Sequence, residues 1–129
     1  MKVFTLAALD GEPSDPNTFV GRARLTRMSH AAAVPPTHVS RVAFEAGART
    51  NWHTHSSPQL LQVLEGACRF QQAGGPVQEA AAGDLISIAP GDRHWHGAAP
   101  TRPMTHVAIN IDATTNWLEP VTDEEYAGQ

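Results

Sequence analysis

Apolar and polar residues alternate along much of the chain with the period of two that marks a half-buried β-strand. In Met104-Thr105-His106-Val107-Ala108-Ile109-Asn110-Ile111, Val107, Ile109 and Ile111 fall on one face, and His106, Ala108 and Asn110 on the other. By the same parity His38, Ser40, Val42 and Phe44 share a face that is polar at one end and apolar at the other. The pattern predicts strands over 3–9, 20–27, 38–45, 49–55, 59–64, 67–71, 77–80, 84–88, 94–97 and 104–111. Gly and Pro, ten of each, cut the chain into pieces too short for helices in most places. Ala73-Gly74-Gly75-Pro76 reads as a turn between two strands. Thr122 with Glu125 three residues on matches a capping box, so a short helical turn is expected near the C-terminus. Many short strands punctuated by turns describe an all-β sandwich or barrel.

The 129 residues suffice for one compact domain that buries its core without disulfides. A single cysteine, Cys68, excludes an intramolecular disulfide and any Cys-rich zinc module, and is expected to be a small buried hydrophobe. A net charge of −4 with nine scattered basic residues offers no block for neutralising phosphates, which argues against nucleic acid and anionic membranes as partners. No apolar run reaches the ~18 residues of a membrane span. Residues 3–9 fit a first strand better than a signal segment, because Asp10 and Glu12 follow where small residues would be needed; a cytoplasmic protein is expected.

Histidine carries the chemistry. Of seven in the chain, His53 and His55 lie two apart on a predicted strand, so both side chains share a face, and His94 and His96 repeat the spacing some forty residues later. Gln59 follows the Ser56-Ser57-Pro58 turn, where a returning strand would bring it back to that face. By itself a His-x-His pair reads more simply as polar strand residues facing solvent. Two such pairs with a nearby amide oxygen suit one first-row ion with open positions for substrate or water.

Gly47, His53, His55, Gln59 and Gly66 together resemble the first cupin motif, and Gly83, Asp84, Pro90, Gly91 and His94 resemble the second. The resemblance runs from about Ser40 to Ile111 and implies an all-β cupin, a jelly-roll barrel, as a single domain over 1–129 with its core at about 38–112. Ala89 stands where the motif usually has proline. Gln59 stands where most metal-binding cupins have glutamate, and a neutral amide leaves the ion closer to its full formal charge, a stronger Lewis acid that is less suited to higher oxidation states. The stretches 47–55, 91–100, 104–106 and 121–126 are similar to small single-domain bacterial cupins that include manganese-dependent hydroxynitrile lyases. That resemblance implies His53, His55, Gln59 and His94 as ligands of one divalent transition metal, manganese first and iron, nickel or zinc as alternatives, and His106 as acid/base.

His96, on the side of His94, is expected to assist His106 or contact substrate. Ser40 and Asn110 are candidate polar contacts for a small-molecule substrate, and Val42, Phe44 and Leu61 its apolar lining. Trp52 and Trp95 alternate with the histidines and so turn to the opposite face, to pack between layers or at a subunit interface. The tail 117–126 is expected on the outside of the barrel. His30 carries no spacing signal. The activity expected first is metal-dependent cleavage of a cyanohydrin to aldehyde and cyanide. A quercetinase-like dioxygenase and a non-catalytic binding cupin are the alternatives. A homodimer or homotetramer is expected, with the N-terminal strand as a natural exchange edge.

Overall fold

The computed structural model describes the backbone of all 129 residues and every side chain except those of Ser29 and His30, so His30 lies outside the described residues. In chain order the strands are β1 (Gly11–Pro13), β2 (Phe19–Val20), β3 (Ala23–Ala32), β4 (Thr37–Phe44), β5 (Arg49–Thr50), β6 (His53–His55) and β7 (Gln59–Glu65). They continue with β8 (Ala67–Gln72), β9 (Val77–Ala81), β10 (Leu85–Ile88), β11 (His94–Ala98), β12 (Met104–Ile111) and β13 (Thr115–Trp117), and the one α-helix, α1, spans Asp123–Ala127. Two antiparallel sheets face each other. Sheet A has the order β1-β3-β4-β12-β7-β10; in sheet B, β13-β6-β11-β5-β2 form one path, with β8 and β9 continuing from the other edge of β11. Among the described residues no helix is long and apolar enough to cross a membrane.

The alternation in the sequence becomes the inside of this sandwich. Phe19, Leu25, Val42, Phe44, Val63, Cys68 and Met104 pack between the sheets. Burial pushes the Cys68 thiol up to about 12, so it behaves as the small hydrophobe its setting requires. A second apolar cluster lies on the outside of sheet B, where Trp52 and Trp95 are covered by Val121 and Tyr126 of the chain's own C-terminal segment. The covering segment is tied down by polar contacts. Arg49 donates to the Val121 carbonyl at 2.7 Å and pairs with Asp123 at 3.0 Å, while the Tyr126 hydroxyl donates to the Ala98 carbonyl at 2.6 Å. The capping box forms as expected, with Glu125 N donating to Thr122 Oγ1 and Thr122 N to Glu125 Oε1.

Four sequence expectations are corrected. Residues 3–9 form no strand: Leu6–Ala8 make a single 3-10 turn, and Val3 and Leu6 stay exposed because no layer covers them; the exchange edge expected there is absent with the strand. The predicted 20–27 strand is divided at Gly21, whose φ of +79° turns the chain so that β2 joins sheet B and β3 joins sheet A. The 49–55 strand is interrupted at Asn51-Trp52, where Asn51 Nδ2 donates to the carbonyls of Asn17 and Leu118. Finally, Trp117 does not lie outside with the rest of the tail. It ends β13, which is hydrogen-bonded to β6.

One close approach holds sheet B together. Gly97 of β11 pairs with Arg49 of β5, and a Cβ at Gly97 would collide with the Ala48 carbonyl and the Arg49 backbone. We predict that Gly97→Ala lowers stability by about 1–3 kcal/mol, the usual cost of overpacking, read as a reduced denaturation midpoint with an unchanged m-value.

Candidate metal centre and cavity

Antiparallel pairing sets His53 of β6 directly opposite His94 of β11, and Thr115 of β13 opposite His55. Because directly paired residues share a face, the histidines converge between the sheets. From sheet A, Gln59 of β7 pairs with Asn110 of β12, and His106 pairs with Val42 of β4. The convergence surrounds a cavity of about 320 Å³ whose lining includes Ser40, Val42, Phe44, His53, His55, Gln59, His96, His106 and Asn110. His94 closes the site from the side of a second cavity of about 210 Å³, at the edge where β10 faces β8 and β9. Leu61 is fully buried and is not among the lining residues of the first cavity, so it supports the wall without reaching its surface.

The outer nitrogens of the rings are held by oxygen atoms. His53 Nδ1 donates to the Asn51 carbonyl at 2.9 Å and His94 Nδ1 to the Asp92 carbonyl at 2.8 Å, while His55 Nδ1 meets Thr115 Oγ1 at 2.9 Å. A carbonyl only accepts, so neutral His53 and His94 carry their proton on Nδ1 and present a bare Nε2 lone pair. Gln59 Nε2 donates to Asn110 Oδ1 at 3.1 Å, which directs Gln59 Oε1 inward, 3.0 Å from His55 Nε2 and 3.4 Å from His94 Nε2. Gln59 Oε1 and the bare Nε2 of His94 are lone-pair donors that converge, and His55 Nε2 joins them when Thr115 Oγ1–H donates to His55 Nδ1, so the donor set fits a metal ion.

The geometry also admits a ligand that the sequence reading placed elsewhere. Ring nitrogens of His53, His94 and His96 lie within 4.8 Å of one another, a spacing that could hold an ion. His96 is already engaged on its other side, since its Nδ1 lies 2.9 Å from His106 Nε2. Among the described residues, the outer nitrogens of that pair, His96 Nε2 and His106 Nδ1, are buried without a hydrogen-bond partner. Thr115 was not anticipated at all: it belongs to a short, exposed strand with no apolar alternation, and only the pairing with β6 places it on His55.

Burial dominates the electrostatics. It holds His53 and His96 well below the ordinary imidazole range, with His94 adding to the effect on His53 and His106 to that on His96. It also lowers His55 and His106 to about 4 and, less strongly, His94. All five rings are therefore neutral at pH 7. Unfolding returns each ring to an ordinary value near 6.5, where it binds protons that the folded chain refuses. Stability of the metal-free chain is therefore flat above about pH 6.5 and falls as the pH drops through the window from there to about 4, the value for His55 and His106. His106, fully buried, contributes about 1.4 kcal/mol per pH unit within that window. Urea midpoints measured with a chelator at pH 7.5, 5.5 and 4.5 check the slope and its sign.

Comparison with known proteins agrees with this architecture. A family model described as a cupin domain matches residues 40–110. The (R)-mandelonitrile lyase of Granulicella tundricola is 44% identical over 111 residues, covering 84% of this chain and 85% of that protein. Among solved structures, a cupin-like protein from Thermotoga maritima is 34% identical with a TM-score of 0.86, over 98% of this chain and 95% of that one. The polyketide cyclase RemF from Streptomyces resistomycificus, at 16% identity and a TM-score of 0.73 over 98% and 90% of the two chains, shares the fold alone. The facing sheets, the converging histidines and these matches over most of the sequence place the chain in the cupin family.

Proposed function

We propose that this cupin is a metal-dependent lyase that interconverts a cyanohydrin with its aldehyde and hydrogen cyanide. The ligands are His53, His55, His94 and Gln59, and the ion is manganese(II). His96 stays outside the ligand set because its Nδ1 faces an imidazole rather than an oxygen acceptor. When that nitrogen accepts from His106 Nε2–H, the proton of His96 is on Nε2, where it blocks ligation. An ion held by four neutral ligands supplies Lewis acidity toward the substrate hydroxyl oxygen.

The observation that carries the reading is the buried His96/His106 pair, 2.9 Å apart, on the wall of the same cavity as the ligand set. Kept neutral by burial, His106 acts as the base for the hydroxyl proton. The O–H electron pair becomes the second bond of the aldehyde carbonyl, and the C–CN pair leaves with cyanide. His106 then gives the same proton to the departing cyanide, so that HCN leaves and the imidazole is again neutral in its starting tautomer. Ser40 and Asn110 supply polar contacts to the substrate, and Val42 and Phe44 the apolar wall. The name of the 44% identical relative, a mandelonitrile lyase, supports the same chemistry.

Elemental analysis of protein purified without added metal is expected to find manganese. Mandelonitrile cleavage by the manganese-loaded protein, followed as benzaldehyde absorbance, is expected well above the chelated control, and His106→Ala is expected to lower kcat by about 10²–10⁴. An unaltered rate in His106→Ala, or no cleavage beyond the control, would sink the reading.

The chain is further proposed to assemble as a homodimer or homotetramer through the outer face of sheet A. Leu60, Ile109, Val39 and Met28 align across four strands there, half-buried in the single chain. Sedimentation equilibrium is expected to give two or four times the 13.8 kDa chain mass, and Ile109→Lys to shift it toward the monomer.

A further inference from the structure

The cavity contains one large apolar surface that the lyase chemistry leaves unused. Phe19, Leu25, Val42 and Phe44 also line it, but each is at least nine-tenths buried and offers little surface. Trp117 lines the same cavity with 41% of its surface exposed. The indole packs on the His53 ring with centroids 4.6 Å apart and planes at 35°, and Phe19 lies 6.2 Å from it. Protein covers part of the residue, and part of it lines the cavity beside the histidines.

Its placement is fixed by the ladder. Trp117 pairs directly with His53, and Thr115, two residues earlier, pairs with His55 and holds its Nδ1. One three-residue strand therefore orients a candidate ligand and holds an aromatic plate at a set distance from the site. Exposed apolar area in a cavity is what a ligand gains by covering, and a flat ring adds the offset or edge-on preference that a saturated ring lacks.

We infer that Trp117 is a specificity-determining residue and that the site is built for substrates carrying an aromatic ring, which rests against the indole while the hydroxyl reaches the histidines. This rests on the lyase reading for the identity of the reacting group, but the ring preference is a property of the cavity and is read by binding. The other two tryptophans, Trp52 and Trp95, are 3% and 0% exposed under the C-terminal segment, so Trp117 is the tryptophan a cavity ligand can quench.

The test titrates the metal-loaded protein with 4-nitrobenzyl alcohol, followed by tryptophan fluorescence, and then displaces that probe with benzyl alcohol or with cyclohexylmethanol. Saturable quenching is expected in the native chain and is expected to disappear in Trp117→Leu. Isothermal titration of that variant is expected to show benzyl alcohol weakened about tenfold and cyclohexylmethanol clearly less, while Trp117→Phe restores most of the difference. An equal loss for both alcohols would reduce Trp117 to a cover for His53, and absence of saturable quenching in the native chain would equally overturn the proposal. If mandelonitrile is not cleaved but the ring preference stands, the lyase reading alone fails; cleavage without ring preference removes only the role given to Trp117.

Discussion

Five imidazoles are buried together between the sheets, four on the wall of one cavity and His94 beside it, and the rest of the architecture follows from the need to keep them neutral. A charged imidazole inside the sandwich would face both desolvation and its neighbours, and burial is the first cause of every depressed value. Neutral rings still require hydrogen bonds. The carbonyls of Asn51 and Asp92 and the hydroxyl of Thr115 supply them from three different segments. The first two are local contacts, two residues back along the chain, and fix the tautomers of His53 and His94, while the third depends on the register of β13 with β6.

The C-terminal segment has two jobs that meet in sheet B. Beyond β13 it covers Trp52 and Trp95, and through Arg49 it is joined to the strand that crosses Gly97. Arg49 is itself buried, and its charge is tolerable because Val121, Asp123 and the Tyr126 ring surround it. The tail thus seals the outer face of the sheet whose inner face carries His53, His55, His94 and His96. Stability of the site and closure of the outer face are linked through the same strands.

Much of this was legible in the sequence, because period-two alternation is a local property. His53 with His55, His94 with His96, and His106 with Asn110 were assigned to common faces by parity, and those faces do meet. Pairing between distant strands was less legible. Thr115 and Trp117 sit in three exposed residues that carry no pattern of their own, and only the register with β6 gives them a place. His96 was read as an accessory to the site, the role the proposed function keeps for it, and parity could not show that its ring nitrogen also comes within ion-holding distance of His53 and His94. Residues 3–9 show the converse error. Their apolar run satisfied the strand pattern, but neither sheet offers them an edge and they remain outside.

The Gln59–Asn110 contact bears on how such a site could change over generations. Asn110 offers both a carbonyl and an amide on one short side chain, and at present the carbonyl accepts from Gln59 while Nδ2 is buried without a partner. Half a turn of that amide would present a donor instead. A carboxylate at position 59 would then find a donor already in place on Asn110. In this barrel the charge of the candidate ligand set rests on a single side chain.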